Sequence, residues 1–189
     1  SSSHAHARIK SIDTSKAKAL PGVLAVLTAA DLKPLNLHYM PTLAGDVQAV
    51  LADEKVLFQN QEIAFVVARD RYIAADAIEL VEVEYEPLPV LVDPFKAMDA
   101  DAPLLREDIK DKMTGAHGAR KHHNHIFFWD IGDKDGTDAV FAKADVVSKD
   151  MFTYQRVHPS PLETCQCVAS MDKIKGELTL WGTFQAPHV

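Results

Sequence analysis

Cysteine is scarce, with only Cys165 and Cys167 in 189 residues. Two positions apart on an extended strand, their side chains share a face but lack the geometry of an ordinary structural disulfide. They are expected to be reduced, packed thiols, and two are too few for a zinc or iron-sulfur site, which takes about four ligands. Glycine is sparse too, at eight residues, and none falls in a G-x-G-x-x-G or Walker pattern; G-x-S-x-G and H-E-x-x-H are also missing. Nucleotide-phosphate and serine-hydrolase chemistry therefore have no support. Basic residues are outnumbered, 20 Lys and Arg against 27 Asp and Glu for a net charge of −7. Phosphate backbones and anionic membranes need clustered cations, so neither is an expected partner. The one basic run, Arg120-Lys121-His122-His123, is too short to reverse that. No apolar run approaches the roughly 20 residues of a membrane helix, and Ser1 to His6 lacks the charged and apolar regions of a signal peptide. A cytoplasmic protein is expected, at most peripheral at the inner membrane face.

What is present is an ordinary globular composition, 47% hydrophobic and 25% charged, in an alternation of strand and helix signals. Ala5, Ala7 and Ile9 alternate with His6, Arg8 and Lys10, the pattern of a strand. Asp13-Thr14-Ser15 caps a short helix over 16–20 that Pro21-Gly22 stops. Val23 to Leu27 reads as a strand, and Thr28 to Asp31 as a capping box opening one helical turn. Leu35 to Asp53 has little periodicity and is expected to be loop. Ile63 to Val67 reads as a buried strand, and Asp70 caps a helix with Ile73, Ala74, Ala77, Ile78 and Val81 on one face. At Val81 the period changes from helical to alternating, and a half-exposed strand runs to Pro87. A short helical turn is expected from Pro94 to Met98.

Charged, apolar-poor sequence follows and reads as a linker. Beyond it, strands are expected at Ile126–Ile131 and Val146–Tyr154, around a helix from Thr137 to Ala144 capped by Thr137 or Asp138. Alternation over 162–169 and again over 178–184, with Lys173 to Gly176 between, spells a β-hairpin. The fold class is α/β (α+β), with one unit over 1–108, a linker over 109–124 and an incomplete second unit over 125–189.

Candidate chemistry concentrates in Met151 to Val189. His158 and Glu163 could form an acid/base pair, although a proline-stiffened turn before a strand explains them equally. Gln185 stands at a strand end, where sites tend to lie, but on the residues alone a satisfied core glutamine is the favoured reading. His122, His123 and His125 invite a metal, but neighbouring histidines point apart in extended chain and no carboxylate or thiol stands at ligand spacing. No metal ligand is assigned.

Several stretches together resemble the large subunits of the molybdenum hydroxylases, the family of xanthine dehydrogenase and aldehyde oxidase. The carrying residues are Ala5-His6-Ala7-Arg8-Ile9, Asp13 to Val23, Ala25 to Leu32, the strand-helix-strand from Glu62 to Pro89, Leu162-Glu163-Thr164, and Thr183-Phe184-Gln185-Ala186-Pro187. Residues 115–125 and 158–167 resemble the carbon monoxide-oxidising branch. The resemblance implies an α/β hammerhead domain followed by the start of a molybdopterin-binding domain, and an enzyme oxidising CO with water to CO2. It implies molybdopterin cytosine dinucleotide with Mo and Cu as cofactor, and an FAD-binding medium subunit and an iron-sulfur small subunit as partners. It also makes Gln185 a cofactor-binding residue whose amide donates to an oxo ligand of molybdenum, with Glu163 and the cysteines structural. The family's glycine-rich cofactor turn, its copper-binding cysteine loop and its active-site glutamate all lie beyond the equivalent of Val189. The chain alone is therefore expected to be an inactive fragment with no catalytic residue of its own. The alternatives are a molybdenum hydroxylase of aldehydes or N-heterocycles, and a non-catalytic hammerhead assembly module.

Overall fold

The computed structural model describes residues 1–37, 39–40, 48–107, 124–125, 131–155, 157, 160–164 and 166–184. The chain divides into two compact units, Ser1–Gly132 and Asp133–Val189.

In the first unit the central strand is β1 (Ala7–Asp13). The next elements in order are α1 (Ser15–Ala19), β2 (Val23–Thr28) and α2 (Ala29–Leu32). Then come β3 (Tyr39–Met40), β4 (Gln48–Ala49), β5 (Lys55–Val56), β6 (Ala64–Ala68), α3 (Arg71–Glu79) and β7 (Glu82–Pro87). β1 lies between β5 and β7, antiparallel to both. One face of this sheet covers a core of Ala7, Ala52, Val56 and Ile63, flanked by Ile9, Ile12, Val83 and Tyr85. Ile9 and Ile12 are three residues apart, and strict alternation cannot put both on one face. The register shift between Ile9 and Ser11 resolves this, since an extra residue in one strand turns the side chains after it.

The second sheet pairs β2 with β6 antiparallel. α1 and α3 close one of its faces over Ala17, Val26 and Ala77, with Leu20, Val66, Leu80 and Val81 around them. Asp70 starts α3 by accepting from the backbone N–H of Tyr72 and Ile73, both at 2.9 Å, which satisfies two of the donors a helix start leaves open. At α2, Thr28 and Asp31 form the expected capping box. At α1 the side-chain cap comes from Asp13, which accepts from Ser15 N at 2.8 Å, while Thr14 makes no such bond. Gly22 links α1 to β2 with φ +95°, where a Cβ would stand 2.6 Å from Ile73 Cδ1. Only glycine combines that backbone with so close a helix.

Several expectations are corrected. The segment from Ala64 to Ala68 is half-buried rather than buried: Phe65 is 60% exposed, because the helices cover only one face of the β2–β6 pair. Ile78 points outward at 53% exposure, as the packed face of α3 runs through Ile73, Ala74, Ala77 and Leu80. The stretch read as loop contains the two-residue ladder β3–β4 and the buried Leu51 and Ala52. His6 is buried, and its Nδ1 lies 2.7 Å from Pro89 O, which binds the start of the strand to the segment leaving β7.

After β7, a single 3-10 turn forms at Lys96–Met98, preceded by a local bond in which Asp93 Oδ1 accepts from Phe95 N at 2.9 Å. The side chain of Asn124 holds the segment after it: its Oδ1 accepts from Leu105 N at 3.1 Å, and its Nδ2 donates to Ala97 O and Pro103 O.

The second unit contains α4 (Lys134–Phe141), β8 (Cys167–Asp172) and β9 (Glu177–Gly182). α4 starts earlier than expected because Asp133 is its cap, accepting from Gly136 N at 2.9 Å. No strand forms over 146–154, where the chain has no ladder partner among the described residues. The expected strand at Ile126–Ile131 lies almost wholly outside the described residues, with only Ile131 described and not in a strand.

Candidate functional site

The hairpin of the second unit is built outward from its turn. Asp172 Oδ1 accepts from Ile174 N and Lys175 N, and Asp172 O accepts from Gly176 N at 2.8 Å. That side-chain and backbone closure fixes the pairing of Asp172 with Glu177, and the ladder then runs regularly to Cys167 opposite Gly182. One further backbone bond, Thr183 N to Gln166 O at 3.3 Å, continues the pairing past the last ladder residue. The first strand of the hairpin thus occupies 167–172 rather than 162–169.

Beyond the ladder the chain is braced by side chains. Thr183 Oγ1 donates to Glu163 Oε1 at 3.2 Å, and Gln166 Nε2 donates to Thr164 Oγ1 at 2.8 Å. The ring of Phe184 folds back against Gly182, where a Cβ would meet Phe184 Cζ at 2.6 Å and Gln166 O at 3.1 Å. Gly182 therefore has the close-approach role its lack of a side chain permits. Glu163, Thr164, Gln166 and Thr183 form one polar cluster at the exit of β9, and Gln185 follows the end of that strand by three residues in sequence. Gln185 itself lies outside the described residues, as do Cys165, His122, His123 and His158.

Cys167 departs from the expectation of a packed thiol. It is a free, exposed cysteine, because a hairpin paired only with itself leaves both faces open within this unit. His125 is half-buried in the first unit. Among the described residues no group of three or more His, Cys, Asp or Glu stands close enough to hold a metal ion. Thr183 and Gln166 were not singled out from the sequence. Counting outward from the turn at 173–176 would have put them opposite one another.

The first unit has a cleft of about 740 Å³ lined in part by Arg8, Lys55, Phe58, Gln61 and Glu107. Gln61 is buried and accepts from Leu57 N at 2.7 Å. Glu107 pairs with Lys55, and Arg8 approaches it at 3.8 Å. Desolvation pushes the Glu107 carboxyl upward, but the hydrogen bonds from Lys55 and from its own backbone, with the Lys55 and Arg8 charges, outweigh it and hold it below the usual carboxylate range. Two cations thus share one ionised carboxylate, and this wall of the cleft is internally neutralised to within one charge.

The profile of the aldehyde oxidase and xanthine dehydrogenase a/b hammerhead domain matches residues 1–89, and that of the molybdopterin cofactor-binding domain matches 117–189. The chain belongs to the molybdenum hydroxylase family of xanthine dehydrogenase and aldehyde oxidase. Its α/β architecture is the hammerhead of that family followed by molybdopterin-binding domain sequence. Within the family, it is 93% identical over 188 residues to the carbon monoxide dehydrogenase large chain of Afipia carboxidovorans, covering 100% of this chain and 23% of that one. It is 66% identical over 185 residues to the carbon monoxide dehydrogenase large chain of Hydrogenophaga pseudoflava, covering 98% and 23%. A solved structure of the Cu,Mo-CO dehydrogenase in its carbon monoxide reduced state superposes with a TM-score of 0.87 at 93% identity, over 99% of this chain and 24% of that one. The chain thus spans about a quarter of the length of these relatives. Among the described residues, no helix is long and apolar enough to cross a membrane.

Proposed function

We propose that this chain is part of the catalytic large subunit of an aerobic, copper- and molybdenum-dependent carbon monoxide dehydrogenase, a cytoplasmic enzyme that converts CO and water to CO2, two protons and two electrons. The observation that carries the reading is the 93% identity to a carbon monoxide dehydrogenase large chain, maintained across the whole of this chain. When bound, a molybdopterin cytosine dinucleotide with molybdenum and copper supplies the two-electron redox chemistry. An iron-sulfur small subunit and an FAD-binding medium subunit would take up the electrons, as the two cysteines here cannot ligate a cluster.

The part of the site assigned to this chain is Gln185. A primary amide fixed beside a metal-oxo group donates a hydrogen bond without bringing a titrating proton, and can stabilise charge building on that oxygen. Before it in sequence, the exit of β9 is tied by two hydrogen bonds, from Thr183 Oγ1 to Glu163 and from Thr183 N to the Gln166 carbonyl. We assign residues 1–108 to the hammerhead domain, 109–124 to a linker and 125–189 to the molybdopterin-binding domain. The hold of Asn124 on the 97–105 segment supports a linker that ends by returning to the first unit.

The reading is tested on the full-length large subunit purified with its partners. Molybdenum and copper should both be present by plasma mass spectrometry, and Gln185→Ala should retain both metals while losing most CO turnover. A Gln185→Ala enzyme turning over like the wild type would remove Gln185 from the site. A preparation with molybdenum, no copper and turnover of an aldehyde or N-heterocycle would move the protein to another branch of the family.

A further inference from the structure

Hydrogen-bond donors outnumber their acceptors in the cleft of the first unit. Gln61 is 5% exposed, and its Oε1 accepts from Leu57 N at 2.7 Å, so the backbone sets the direction of the amide. Its Nε2 donates to nothing among the described residues. Gln61 lines the cleft, and among the described residues the one wholly enclosed side-chain polar atom without a partner is His6 Nε2. Gln61 Nε2 therefore opens onto the cleft. Lys55 is the second donor: its side chain is 12% exposed, and one ammonium hydrogen goes to Glu107, leaving the others unspent among the described residues. Arg8 is the third. Its guanidinium is half-exposed and approaches Glu107 at 3.8 Å, longer than a hydrogen bond. The remaining acidic groups of the lining do not absorb these donors, since Asp53 is engaged by Lys33 and Glu54 is exposed to solvent.

We propose that this cleft is a binding site for an organic monocarboxylate with an apolar body. Unspent donors select a group that only accepts, and a carboxylate takes hydrogen bonds from an ammonium or guanidinium with charge assistance. The charge sets the valence: Arg8 and Lys55 against Glu107 leave one positive charge on this wall, which a single carboxylate balances and a dianion overbalances. The volume sets the body. At about 740 Å³ the cleft has the size of a small-molecule pocket, far more than a carboxylate fills, and Leu57, Phe58 and Leu105 supply apolar surface for an alkyl or aromatic part. Gln61 supplies selectivity, because a buried, prepositioned donor disfavours any ligand that leaves it unpaired.

The test uses the full-length complex with its cofactors and partner subunits, and sodium octanoate as the probe. Calorimetric titration should show saturable binding of one octanoate per large subunit. Octanamide, which keeps the body and loses the charge, should bind at least about tenfold more weakly, the scale of a charge-assisted bond. Arg8→Gln and Gln61→Glu should each weaken octanoate by a similar factor; Gln61→Glu keeps an acceptor for Leu57 N while replacing the free donor with a like charge. Arg8→Lys should keep most of the binding, and Arg8→Gln should leave CO turnover and melting temperature at wild-type values. A diazirine-bearing octanoate, irradiated and mapped by peptide mass spectrometry, should label 48–61 or 105–107. No saturable binding at millimolar octanoate, or label placed elsewhere, would overturn the proposal. Equal binding of octanamide, or undiminished octanoate binding in Arg8→Gln, would overturn it as well, reducing the cleft to an apolar groove. Should Gln61→Glu melt early, Arg8→Gln decides, since its altered side chain is half-exposed.

Discussion

The contact between Gly22 and α3 can be tested by separating its two components. Gly22 has φ +95°, and a Cβ there would lie 2.6 Å from Ile73 Cδ1, with Ile73 Cγ2 and Cγ1 at ordinary contact distances of 3.5 and 3.7 Å. Gly22→Ala therefore incurs a backbone cost of about 1–2 kcal/mol for an L-residue at positive φ and an overpacking cost of about 1–3 kcal/mol. Ile73→Val deletes the one methyl that clashes and alone should cost about 0.5–1.5 kcal/mol. In the Ile73→Val background Gly22→Ala should retain only its backbone cost, so the double variant should be more stable than the sum of the singles by roughly 1 kcal/mol or more. Urea unfolding followed by far-ultraviolet circular dichroism measures all four proteins. Additivity within about 0.5 kcal/mol would refute the reasoning, because it would mean that no methyl of Ile73 occupies the space above Gly22.

Asp70→Ala leaves two α3 N–H groups without their 2.9 Å acceptor and should cost about 1 kcal/mol in the same unfolding assay. Asn124→Ala removes three hydrogen bonds from Ala97, Pro103 and Leu105 and should expose the 97–105 segment to limited proteolysis before the rest of the first unit. Because the Glu107 carboxyl is held below its ordinary range, its contribution to stability is complete above the unfolded-state value near about 4.3 and is lost as pH falls through the lower folded value. Glu107→Gln should accordingly flatten the acid side of a stability-against-pH curve while changing its shape little above pH of about 6. An unchanged acid limb would show that Glu107 is not paired in solution.

How much of this was readable in advance follows the physics of each element. The β6-α3-β7 stretch was legible because Asp70 is a strong cap and the hydrophobic period changes at Val81. The Thr28–Asp31 box was legible for the same local reason. The bulge between Ile9 and Ser11 was not, because alternation through Ala7 and Ile9 assigns Ile12 to the wrong face, and only pairing with β7 reveals the extra residue. The burial of His6 was not legible either, since its partner, Pro89, is 83 residues away. The two-residue ladder β3–β4 is too short for any period to register. In the hairpin, the apolar alternation continues through 162–169, yet the turn chemistry at Asp172 sets the register from the other end, and the strand lies at 167–172. Gln185 was not distinguished from a core glutamine by pattern. Its assignment came from resemblance, and the brace formed by Glu163, Gln166 and Thr183 emerged only with the structure.

This chain is proposed to belong to an enzyme that oxidises carbon monoxide. The most direct measurement is CO-dependent reduction of an artificial dye by the purified full-length complex, run beside an aldehyde and an N-heterocycle at matched concentration. Dye reduction with CO, release of one CO2 per two electrons, and no turnover of the other two are expected. Turnover of the aldehyde or heterocycle with none of CO, in a preparation loaded with molybdenum and copper, would contradict it.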